Sequence, residues 1–142
     1  MMRLEYVKET LQQGGYTCIL FYSEELVLAS YEKGIAPLYS YVLHRKEILK
    51  PLVLGDKVIG RAAALLAVYA GVKQLHTGII SQGAIEVLRH HSVVYEYDRV
   101  VPYIENRNKD GQCPMELAVE HIVDSKEGFM ILKNFIEKRN KS

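Results

Sequence analysis

Cysteine and charge of one sign are what this sequence has least of. Only Cys18 and Cys113 occur, far apart in the chain. A disulfide framework is therefore excluded and a reducing compartment is the natural reading, with one bridge between the two as the alternative. Eighteen basic residues against seventeen acidic ones leave a formal charge of +1, spread without a basic block. That removes the electrostatic footprint that a nucleic-acid polymer needs, while a single nucleotide stays compatible. Long apolar runs are missing as well. The most apolar stretch, Val58 to Ala70, is too short to cross a bilayer and carries Arg61. The opening MMRLEYVKETLQQGG is broken by Arg3, Glu5, Lys8 and Glu9, so no signal-peptide apolar region is expected there. These absences together predict a cytoplasmic protein with no membrane partner.

What is present is ordinary globular composition, 49% hydrophobic and 25% charged over 142 residues, which fits a single domain spanning 1–142. Leu4, Val7 and Leu11 fall at helical spacing and Gly14-Gly15 ends that segment, predicting a helix over 3–13. YTCILFY (16–22) reads as a buried strand, and LVLASY (26–31) as its hairpin partner across a turn at 23–25. After the connector GIAPL (34–38), Tyr39, Val42 and Leu43 predict a short helix ending before Pro51. GDKVIGRAAALLAVYAG (55–71) reads as the central helix, with Asp56 as N-cap and Gly71 as terminator. It is apolar on nearly every face, and Gly60, Ala64, Ala67 and Gly71 form a stripe that permits close approach.

A strand (72–80), a helix opened by Ser81, a strand over 92–97 and a short one at 100–104 follow. NRNKDGQ (106–112) is a turn-rich loop; one helix starts at Pro114, and another, capped by Ser125, uses Phe129, Leu132, Phe135 and Ile136. This order predicts a three-layer α/β/α sandwich with a mixed sheet.

The segment DKVIGRAAALL (56–66) is similar to one in a small family of uncharacterised bacterial proteins, a domain of unknown function. The resemblance continues through GIIS (78–81), VPYIENR (101–107) and CPME (113–116), with GIAPL (34–38) upstream. It implies a cytidine-deaminase-like fold and no activity. Zinc deaminases hold the metal with a His or Cys and a Cys pair, and move protons with the Glu of an H-x-E motif. None of His44, His76, His90, His91 and His121 has Glu two residues later, and no C-x-x-C exists. No metal or other cofactor is therefore expected. With the central helix in the place of the H-x-E helix, Asp56 and Lys57 stand where ligand and acid would be, and Ser81-Gln82 where the cysteine pair would be.

Ligands in open α/β sheets bind beyond the carboxyl ends of strands, where helix starts favour anions. That makes Arg61, Ser81, Asn106, Arg107 and Glu116 candidate ligand-binding residues, beside Asp56 and Lys57. Each has a plainer reading: Asp56 and Ser81 as caps, Lys57 and Arg107 as solvated cations, Arg61 as a side chain reaching the helix edge. Cys113 precedes Pro114 and Glu116 in capping-box spacing; it is either a small buried hydrophobe or a thiol of lowered pKa. Two functions follow. One is a protein binding a small anionic ligand, nucleotide-like or phosphorylated; the other is a metal-independent enzyme with Cys113 as nucleophile and Lys57 or Asp56 assisting. A homodimer formed through a free sheet edge or helix face is also expected.

Overall fold

A computed structural model of the chain describes residues 2–106 and 108–141. The elements in order are α1 (Leu4–Gln13), β1 (Cys18–Tyr22), β2 (Glu25–Ser30), α2 (Ala36–His44), β3 (Leu52–Ile59), α3 (Arg61–Ala70), β4 (Val72–Ser81), α4 (Gln82–His90), β5 (Val94–Val101), α5 (Pro114–Ala118) and α6 (Ser125–Lys141). The fold is α/β. Its single five-stranded sheet has the order β2-β1-β3-β4-β5. β1 runs antiparallel to both neighbours, whereas β3, β4 and β5 are parallel and joined by the helical crossovers α3 and α4.

One expectation fails at the centre. Residues 55–71 are not one helix: LVLGDKVI forms β3, Gly60 is the N-cap, and only Arg61–Ala70 is helical. An apolar run does not by itself distinguish a buried helix from a buried strand. Here the β-branched Val53, Val58 and Ile59 and the break at Gly60 favour a strand, and the vacancy between β1 and β4 recruits it. Asp56 is consequently a strand residue opposite Cys18, not a cap. Gly55 is needed for this packing, because a Cβ there would stand 2.8 Å from Val7 Cγ1 and 2.9 Å from Ile19 Cγ1. Two smaller corrections belong to the C-terminal half. β5 is continuous over Val94–Val101, where two shorter strands were expected. The side chain that caps α6 is Asp124, whose carboxylate accepts from Glu127 N–H at 2.8 Å, so Ser125 is already helical.

Successive strand residues point to opposite faces, and β1 divides its side chains accordingly. Ile19 and Phe21 join Val7 and Leu11 of α1 in one apolar cluster. Cys18 and Leu20 join the larger cluster, which contains α3 almost entire together with residues of α2, α4 and α6. Ala62, Ala64, Leu65, Leu66, Ala67 and Ala70 are buried; burial of each leucine contributes about 1.5–3 kcal/mol. The small side chains let α6 come close, and a Cβ on Gly128 would lie 2.8 Å from Leu65 Cδ1. Gly71, at φ 111°, closes α3 in the left-handed conformation expected of it. No described helix is long and apolar enough to cross a membrane.

Candidate functional site

The carboxyl ends of β3 and β4 deliver the starts of α3 and α4. The first turn of α3 would suit an anion, but the protein supplies its own. The Glu116 carboxylate, on α5, accepts from the Arg61 N–H at 2.7 Å and the Ala62 N–H at 2.8 Å. Gly60 makes room, since a Cβ there would collide with the Glu116 carboxylate and stand 2.6 Å from Ile104 Cγ1. Burial pushes the Glu116 carboxyl up, against the pull of the two N–H groups and the Arg61 charge. The Arg61 guanidinium is committed too, donating to the Ile122 carbonyl and pairing with Glu86 at 2.9 Å. Ser81 caps α4, accepting from Ala84 N–H at 3.0 Å. Arg61, Glu116 and Ser81 are thus gathered at one rim, with their polar groups satisfied by each other and by the backbone.

The other candidates disperse. Asp56, 5% exposed, lies beside the thiol of Cys18 and accepts from Val58 N–H at 3.3 Å. Burial raises its carboxyl to about 8 against the opposing Val58 N–H and Cys18 thiol. Burial likewise pushes the Cys18 thiol up, reinforced by the Asp56 charge. Cys113 stands half-buried at the N-cap of the five-residue α5, with no side-chain capping bond. Asn106 folds onto its own loop, donating to Asp110 at 2.8 Å. Arg107 lies outside the described residues.

Lys57 points elsewhere. It is exposed, and its ammonium has no ion pair or hydrogen bond with any described residue. It lines a hollow of about 300 Å³ between the end of α1 (Leu11, Gln12, Gly15) and the sheet, shared with His76, Gly78 and Asp98 and not with Cys113. In the parallel register Lys57 lies beside Gly78, where a Cβ would sit 3.1 Å from the Lys57 carbonyl. His76 is directly opposite Glu96 on β5, and its Nδ1 is 2.9 Å from the Glu96 carboxylate. The ring is only 2% exposed. With Nδ1 engaged, Nε2 is the nitrogen that no described residue takes. Lys8 of α1 closes the far side through a 2.9 Å ion pair with Asp98. That pair raises Lys8 and holds Asp98 below the usual carboxylate range, and both groups are exposed.

His76, Glu96, Asp98 and Lys8 were not singled out from sequence. The signal existed: once 52–59 is read as a strand, alternation along three parallel neighbours puts Lys57, His76, Glu96 and Asp98 on one face. Among the described residues no group of three or more His, Cys, Asp or Glu could hold a metal ion.

No curated protein matches the chain. Among solved structures, the crystal structure of a DUF1893 family protein (TM1506) from Thermotoga maritima superposes with a TM-score of 0.80 at 18% sequence identity. The alignment covers 95% of this chain and 88% of that one. At that identity the likeness shows the fold alone. The profile of TM1506, a domain of unknown function (DUF1893), matches residues 6–136. By that match across nearly its whole length, the chain belongs to the DUF1893 family.

Proposed function

We propose that the protein binds a small anionic metabolite, nucleotide-like or phosphorylated, on a three-layer, cytidine-deaminase-like scaffold that lacks the zinc-deaminase ligand set. The binding place in this reading is the hollow under α1 rather than the helix starts. Lys57 is the observation that carries it: an ammonium that no described residue pairs with, lining the same hollow as an almost enclosed histidine. The anion-binding groups at the start of α3 already hold Glu116, so an incoming anion there would have to displace a buried carboxylate. In the hollow Lys57 has no described partner to give up. A volume of about 300 Å³ is at the small end of ligand pockets, which suits a phosphoryl or carboxylate head with a short body.

A thermal-shift screen of nucleotides, sugar phosphates and short phosphorylated acids against the wild type and Lys57→Met tests this. A hit at a concentration of a hundred times its Kd adds about 2.7 kcal/mol of stability. The reading requires at least one compound that stabilises the wild type and has lost its effect on the variant. Equal stabilisation of both proteins by every hit, or no hit at all, contradicts it.

A further inference from the structure

The charges around the hollow come from four elements: Lys8 on α1, Lys57 on β3, His76 on β4, and Glu96 and Asp98 on β5. Lys8 neutralises Asp98 directly, at 2.9 Å. Lys57 and Glu96 then cancel in the sum, and the net charge of the cluster is decided by His76 alone. With a neutral imidazole the cluster sums to zero; with an imidazolium it carries one positive charge. The geometry also gives that charge a direction. Glu96 holds Nδ1, so the second N–H of an imidazolium, on Nε2, is available to a ligand in the hollow shared with Lys57. An imidazolium at this place has a carboxylate against one ring nitrogen and, once a ligand is bound, an anion against the other.

Resting on the reading that this hollow takes an anion, we propose that anion binding there is coupled to protonation of His76, with Nε2–H and the Lys57 ammonium as the two donors to one dianionic head group. Affinity then falls as pH rises and His76 surrenders its proton. The preferred ligand class is a phosphate or sulfate dianion over a monocarboxylate, because two cationic donors converge on one group.

Sulfate is the probe, since it stays dianionic across the range where phosphate itself titrates. Binding is followed by amide and side-chain chemical shifts at pH 5.5 and 7.5, with ionic strength held constant by chloride. The wild type is expected to bind about tenfold more tightly at pH 5.5, the loss of one nearby charge being worth at least that factor. His76→Gln, which keeps a neutral donor, is expected to bind with the same weak affinity at both pH values. Glu96→Gln changes an exposed side chain and leaves the fold intact. It removes the carboxylate that partners an imidazolium at Nδ1, so the pH at which sulfate binding is lost should move down, and the ratio of the affinities at the two pH values should change with it. Equal wild-type affinity at both pH values, or an unaltered pH ratio in Glu96→Gln, overturns the coupling while leaving anion binding standing. Absence of any sulfate-dependent shift in the hollow at pH 5.5 overturns both.

Discussion

Replacing Asp56 with asparagine exchanges a buried carboxyl for a neutral group of nearly the same shape, in a place where the charge is the whole question. In the folded chain the carboxyl titrates at about 8, raised by burial from an ordinary value of 3.8. The unfolded chain gives up the proton near pH 4, and the folded one keeps it until about pH 8. Asp56 therefore contributes its full stabilisation below pH 4, loses it as pH rises through that window, and contributes no further change above it. The slope is about 1.4 kcal/mol per pH unit, and the span of the window makes the total on the order of 5 kcal/mol. Asparagine has no such slope, and its Oδ1 can still accept the Val58 N–H. Urea unfolding at intervals from pH 4.5 to 8.5 measures both proteins. Near pH 4.5 the variant should be equal to the wild type or about 1 kcal/mol less stable, through the changed contact with Cys18. Near pH 8 it should be several kcal/mol more stable. Glu116, also raised, is common to both proteins and cancels in the difference. Two parallel stability curves would refute the assignment of Asp56 as a buried, proton-holding group.

Three further outcomes follow from the packing. Glu116→Ala should destabilise by about 2–4 kcal/mol in urea unfolding, because two buried N–H groups of α3 lose their acceptor, and Glu116→Gln by about half of that; values below 0.5 kcal/mol for both would deny the capping role. Gly55→Val should cost more than about 3 kcal/mol or prevent folding, since the new Cβ meets Val7 and Ile19 below 3 Å and drives α1 off the sheet. A lost contact between α1 and β3, seen as accelerated amide exchange in residues 4–13, is the specific sign. Alkylation at pH 7 should label the half-buried Cys113 and leave Cys18 protected until the protein unfolds, because its thiol is buried and pushed up; equal labelling of both in the native protein contradicts the placement of Cys18.

Much of the frame was legible because the signals were local. Gly14-Gly15, Ser81 and Gly71 mark element ends by backbone chemistry that needs no tertiary partner, and all three function as read. Residues 55–59 read as helix because Asp56 offers an N-cap ahead of the apolar RAAALLAVYA. Their strand character comes from β1 and β4, far away in sequence. That one error displaced the site. With Asp56 and Lys57 on a helix, both seemed to face the helix starts; on a strand they face opposite sides of the sheet, one into the core and one into the hollow under α1. Glu116 shows the other kind of failure. Its spacing from Cys113 suggested a local capping box, but the helix it caps is α3, more than fifty residues earlier. Sequence spacing reports such a partner only when it lies within the same turn.

Amide and side-chain shifts on titration with the tightest hit from the phosphorylated-metabolite screen test the placement of the ligand most directly. Perturbations should concentrate at Leu11, Gln12, Gly15, Lys57, His76 and Gly78, with Lys57→Met abolishing them. Perturbations confined to Arg61, Ala62, Ser81 and Ala84, and surviving in Lys57→Met, would return the ligand to the helix starts and contradict a site under α1.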